Sequence, residues 1–180
     1  MFEPALVTAE ELARFPDDDH KYELVAGRVI RMSPVGYIHG RLVMQFGSLL
    51  ERHARSRKLG AVVTEVGFRL ASNPDTVRAP DVAFLRQERI PSPEPRAFWV
   101  GPPDLAVEVL SPEDRQLDVQ SKVDEYLASG VPAVLVIDPD IRSVVIHRPS
   151  SPPGVLQGMD VLDLSDVIRG FRCSVQDIFD

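Results

Sequence analysis

The segment 104–110, DLAVEVL, constrains the fold more than any other stretch of the chain. Alternation along an extended backbone puts Leu105, Val107 and Val109 on one face and Ala106, Glu108 and Leu110 on the other. A strand apolar on both faces belongs inside a sheet that is covered on both sides. Glu108 interrupts that pattern. A lone carboxylate in such a strand persists only if it is paired, protonated or bound to a cation. One heptapeptide therefore predicts a covered sheet and a polar event at its centre.

The flanking segments supply the layers. TAEELARF reads as a short helix, with Thr8 as N-cap and Glu11 as its capping-box partner, and PDDDH reads as its polar exit. YELVAGRVIRMS reads as a hairpin turning at Ala26-Gly27. In residues 38–57, Leu42, Val43, Phe46, Leu49 and Leu50 recur at helical spacing, and Gly60 is the expected stop. AVVTEVGFRL and APDVAFL read as one strand each, and the five prolines of residues 91–103 mark a stiff loop. After DLAVEVL, Ser111-Pro112-Glu113 is a helix start, and the helix is expected to run to about Ser129. AVLVID and SVVIHR follow as strands joined by PDIR, then a strand near Val161 and a short helix near Gln176. Strands, a crossover helix and further strands predict a mixed α/β sheet with helices on its faces.

Composition excludes several classes. With 44% hydrophobic and 26% charged residues, neither a disordered tail nor a membrane protein fits. No apolar run approaches the roughly 20 residues of a spanning helix. The acidic start lacks the basic and long apolar regions of a signal peptide. The single cysteine, Cys173, makes neither an internal disulfide nor a cysteine zinc site. A single domain over residues 1–180 in the cytoplasm, with no membrane contact, is the expectation. The net charge of −7 is uneven: residues 21–58 carry eight Lys or Arg against Glu23 and Glu51. Arg52, Arg55 and Lys58, at the end of the long helix, are candidate phosphate contacts, although a solvated basic helix face is the plain alternative.

Three polar residues sit where the pattern predicts burial. They are Asp81 in APDVAFL, Glu108, and Lys122, whose helical neighbours are Val119, Val123 and Tyr126. Each has a structural explanation alone: a strand-entry bond, half of an ion pair, a snorkelling stem. Together, two acids on successive strands and a lysine on the next helix suit a hard divalent cation, Mg²⁺ or Mn²⁺. Such an ion polarises a phosphodiester and lowers the pKa of bound water. Glu65, Glu23 and His39 are additional candidates for the same cleft. His20, His53 and His147 share no ligand spacing, and Ser111 stands in no nucleophile elbow.

The series YELVAGRVIRMSP, IHGRL, APDVAFL, PDLAVEVLSPEDR, KVDEYLASGV and AVLVIDPDIRSVVIHR resembles the Uma-type putative restriction endonuclease family, within the PD-(D/E)XK nuclease superfamily. The resemblance covers about residues 7–178. It implies an α/β (α+β) restriction-endonuclease-like fold: a central mixed sheet flanked by helices, with an N-terminal helix and hairpin. It matches Pro80-Asp81 to the PD element and Glu108 to the second acid. The superfamily's lysine usually follows that acid by two residues, where this chain has Leu110; the family's lysine stands on the following helix, at Lys122. The implied activity is metal-dependent hydrolysis of DNA. Asp81, Glu108 and the Val109 carbonyl would hold Mg²⁺ or Mn²⁺, Lys122 would act on the attacking water, and the protein would be a homodimer. The rival reading is a catalytically silent nuclease fold that binds nucleic acid or serves as an accessory module.

Overall fold

The computed structural model describes residues 5–16, 20–112 and 116–180. Helix α1 (Ala9–Leu12) is closed by the expected capping box: Thr8 Oγ1 accepts from Glu11 N at 3.2 Å, and Glu11 Oε2 accepts from Thr8 N at 2.8 Å. The acidic triplet of its expected exit, residues 17–19, lies outside the described residues. Strands β1 (Lys21–Val25) and β2 (Arg28–Met32) form the expected hairpin. Ala26 and Gly27 both have positive φ, the backbone that matches a two-residue turn to the strand twist.

Helix α2 (Tyr37–Arg57) turns Leu42, Phe46, Leu50 and Ala54 inward. Complete burial of a side chain such as Phe46 stabilises the fold by roughly 1.5–3 kcal/mol. The helix ends at Lys58, in the left-handed region, with its N–H on Ala54 O; this is two residues before the expected stop. Gly60 instead opens β3 (Gly60–Val63), where a Cβ would stand 1.9 Å from Leu85 O.

The expected single strand over 61–70 is divided into β3 and β4 (Phe68–Ala71). APDVAFL is likewise shortened: β5 (Thr76–Arg78) ends before Ala79 and β6 (Val82–Arg86) begins after Asp81. β3 pairs with β6, and β4 with β5, so residues 60–86 form one long antiparallel ribbon folded across its middle. Glu65 (φ 58°) bends one strand, Pro80 interrupts the other, and Glu65 N donates to Pro80 O across the crease at 3.2 Å. Strands that bend in this way can pass from one sheet into another.

One half of the ribbon joins a five-stranded sheet, β2-β1-β5-β4-β7, whose last member is β7 (Trp99–Val100) inside the proline-rich loop. The other half joins a six-stranded sheet, β11-β10-β9-β8-β6-β3, built with β8 (Leu105–Val109), β9 (Val134–Asp138), β10 (Ser143–His147) and β11 (Gly154–Gln157). Helix α3 (Gln116–Ala128) connects the parallel pair β8 and β9. Its expected start reaches Glu113, outside the described residues. A ribbon of β12 (Val161–Asp163) and β13 (Arg172–Ser174) and helix α4 (Gln176–Phe179) complete the chain. The expected single sheet is thus two sheets and a ribbon, and the architecture is mixed α+β with helices flanking the sheets.

The faces of β8 divide as the alternation requires. Leu105, Val107 and Val109 pack with the α2 residues and with Ile178 and Phe179. Ala106 packs with Val123 and Tyr126 of α3. Glu108 therefore points to the α3 side, beneath a cleft between that helix, the β1–β2 hairpin and the start of α2.

Candidate active site

The crease of the ribbon and the end of β8 bring the two predicted acids together. Asp81 follows the Pro80 break, and its Oδ2 accepts from Val109 N at 2.7 Å. That bond ties Asp81 to the residue next to Glu108. His39 Nε2, from the first turns of α2, lies 3.1 Å from the same oxygen. Asp81 Oδ1 takes no hydrogen bond from a described residue.

Glu108 is only 7% exposed, and both its oxygens are engaged from α3. Lys122 Nζ donates to Oε2 at 3.0 Å, and Tyr126 Oη donates to Oε1 at 2.8 Å. One helical turn separates these donors, so both project onto the same carboxylate. Burial pushes the Glu108 carboxyl up to about 7; Lys122 opposes that rise, while the charges of Asp81 and Glu23 add to it. Burial alone would lower the Lys122 ammonium, but Glu108 and Glu23 outweigh it and hold the group above its usual range. Burial, then the Glu108 charge, raise the Tyr126 phenol well above its ordinary value.

Glu23 is 2% exposed and forms the back of the same cleft. Its carboxylate accepts from Arg78 Nη1 at 2.7 Å and from Ala79 N at 3.0 Å. The cleft measures about 780 Å³, and Arg31, Asp118 and Ser121 also reach it. Asp81, Glu108, Lys122, Glu23, His39 and Val109 all line it.

Other candidates lie elsewhere. Glu65 is half-exposed on the crease, paired with Lys21, and does not line the cleft. Arg52, Arg55 and Lys58 lie toward the far end of α2, about 20 Å or more along its axis from His39, and none lines the cleft. Arg52 borders a separate depression of about 230 Å³ with His53, Arg57 and Arg172. His53 donates to Arg169 O at 3.0 Å, His20 contacts Arg31, and His147 lies on β10. Leu110 packs on the α3 side of the core. Sequence reasoning passed over Arg78 as a charge and Tyr126 as a donor. The four-residue step from Lys122 to Tyr126 was a usable signal, because it puts a hydroxyl on the lysine's own face.

The donors suit a hard cation. Asp81 Oδ1 takes no hydrogen bond from the described residues, and Glu108 is held above its usual range by burial and partly by neighbouring negative charge. Four carboxylates, of Glu23, Asp81, Glu108 and Glu125, stand in this network against Arg78 and Lys122. Among the described residues, no three His, Cys, Asp or Glu side chains gather as a metal-holding group.

An acid at a strand break, a second on the adjacent covered strand, and helices on both faces of the sheet place a polar cleft within a mixed α+β fold. The chain belongs to the Uma2 family, described as "Putative restriction endonuclease", whose family model matches residues 9–176. It is similar to a protein from Anabaena variabilis ATCC 29413, described as a putative nuclease belonging to DUF820. Their identity is 21% and their TM-score 0.86, over 96% of this chain and 97% of that one, a likeness of fold. The DrdV–DNA complex aligns at 14% identity and a TM-score of 0.33, over 66% of this chain and 86% of that one, too distant to bear on the function. No curated protein matches.

Proposed function

We propose that this protein is a divalent-metal-dependent endonuclease that hydrolyses DNA phosphodiester bonds. The observation that carries the reading is the meeting of Asp81, Glu108 and Lys122 in one cleft of about 780 Å³. The family's description, "Putative restriction endonuclease", supports it. Asp81, Glu108 and the Val109 carbonyl would hold Mg²⁺ or Mn²⁺. A cation held there would polarise the phosphodiester and offset the charge that develops on it.

The chain's own groups account for the remaining chemistry. Lys122 keeps its proton at Nζ, and in the transition state its ammonium faces the phosphoryl oxygens as a preorganised positive charge. The same group orients the attacking water from the α3 side. Tyr126 and the Val109 amide fix the two carboxylates, so neither reorganises as charge develops. Arg31, at the cleft wall, would meet a backbone phosphate, which positions the strand without reading its sequence.

A second reading, a catalytically silent nuclease fold in a binding or accessory role, is favoured by one observation. The basic residues Arg52, Arg55 and Lys58 do not face the cleft. A cleavage assay on single- and double-stranded DNA with Mg²⁺ or Mn²⁺, with Asp81→Ala as control, separates the two. Metal-dependent cleavage lost in Asp81→Ala supports the nuclease; DNA binding without cleavage under either metal selects the silent fold. The homodimer and the single-domain organisation remain proposals of the same reading, tested by sedimentation and by limited proteolysis.

A further inference from the structure

Behind the two acids and the lysine lies a second set of charges that this mechanism has not used. Arg78, at the end of β5, is 5% exposed. It donates Nη1 to Glu23 Oε2 at 2.7 Å. It also grips Glu125 of α3 with two parallel bonds, Nε at 2.7 Å and Nη2 at 2.8 Å. Glu23 Oε1 accepts from Ala79 N at 3.0 Å and lies 3.8 Å from Lys122 Nζ. Both oxygens of Glu23 are thus taken by donors of this chain. Both oxygens of Glu108 are engaged as well, by Lys122 and the neutral Tyr126 hydroxyl, but Glu23 carries the buried Arg78 guanidinium against it, a fixed cation in the place a metal would take.

We propose that Glu23 and Arg78 are positioning residues for Lys122, with Glu23 serving as the ammonium's second carboxylate and not as a metal ligand. The proposal rests on the nuclease reading of the cleft. A lysine stem has four rotatable carbons, and a single carboxylate leaves its ammonium free to swing about that contact. Glu108 and Glu23 hold the Lys122 ammonium from two elements, β8 and β1. Arg78 in turn fixes Glu23, and its planar fork on Glu125 anchors the guanidinium to α3 one turn beyond Lys122. The Ala79 amide carries the same order into the main chain two residues before Asp81. One buried network therefore sets the lysine, the helix that bears it, and the backbone leading to the first acid.

The test is Glu23→Gln in the full chain, because the amide keeps the shape and the carbonyl acceptor but removes the charge. Three readouts apply: Mn²⁺ affinity by calorimetry, the Lys122 ammonium signal in ¹H–¹⁵N spectra of lysine-labelled metal-free protein, and single-turnover cleavage. Mn²⁺ affinity is expected to stay close to wild type, while Asp81→Asn loses about tenfold or more. The Lys122 ammonium signal is expected to broaden away. The saturated cleavage rate should fall by roughly tenfold or more with KM held. Mn²⁺ affinity lost as in Asp81→Asn would make Glu23 a ligand and overturn the proposal; an unaltered ammonium signal would overturn it as well. Should Glu23→Gln not fold, Glu23→Gln with Arg78→Gln removes both buried charges together and is read in the same way. A wild type that neither binds Mn²⁺ nor cleaves would end the nuclease reading, and the ammonium signal would then decide the positioning role alone.

Discussion

Lys122 carries the sharpest prediction at the scale of single residues. Lys122→Met keeps the stem that packs beside Val123 and Tyr126 and deletes the charge. Metal affinity should change little, while the single-turnover cleavage rate should drop by on the order of 10²-fold or more. Full activity would mean that the lysine only completes an ion pair. Glu108 carries a second, in pH. Its folded-state carboxyl is pushed up to about 7 from an ordinary 4.5, so between those values the folded state binds more protons than the unfolded chain. In the metal-free protein this group's contribution to stability must therefore fall as pH rises from about 4.5 to about 7, by at most about 1.4 kcal/mol per unit. Above that window it is constant. Thermal unfolding of wild type against Glu108→Gln checks this: the variant should lack that slope, and parallel curves would refute it. Asp81, Glu108 and Lys122 were legible because each breaks an apolar pattern, and an isolated charge in such a pattern announces a partner. Arg78 was not legible. Its carboxylate partners lie 55 and 47 residues away, and nothing local in TVRAPD signals them.

At the scale of elements, the sequence shows periodicity well and bends poorly. The capping box, the Ala26-Gly27 turn, the long helix and the strand DLAVEVL all follow from short-range chemistry. The division of AVVTEVGFRL did not follow, because its residues favour extension throughout and the bend is imposed by the companion strand across Glu65 and Pro80. In the sequence Gly60 reads as a helix stop, whereas in the fold it lets β3 begin against β6. Gly60→Ala should therefore destabilise the protein by roughly 2–3 kcal/mol, since the added Cβ meets a main-chain oxygen that cannot yield. Gly36→Ala, where a Cβ meets open space, is the control. Urea denaturation measures both, and equal midpoints would remove the packing argument.

For the whole molecule, charge is arranged along a length. The cleft lies at the start of α2, and Arg52, Arg55 and Lys58 lie toward its other end. At a rise of about 1.5 Å per residue that separation is roughly 20 Å or more, close to six base pairs of duplex at 3.4 Å each. If those residues meet phosphates while the cleft engages a strand, their charge reversal should weaken binding to long duplexes and spare those shorter than about six base pairs. The log–log salt slope should flatten by about 0.9 for each phosphate that is no longer neutralised. Anisotropy titrations of a length series in EDTA measure this, and equal weakening at every length would assign the cluster to an ordinary solvated surface. Among the described residues no helix is long and apolar enough to cross a membrane. The folded ribbon of residues 60–86 carries the two sheets on one continuous pair of strands, and Arg78 bridges the hairpin's sheet, through Glu23, to α3, through Glu125. The wall of the cleft and the backbone that leads to Asp81 thus share a single set of bonds, through the Glu23 carboxylate that also receives the Ala79 amide.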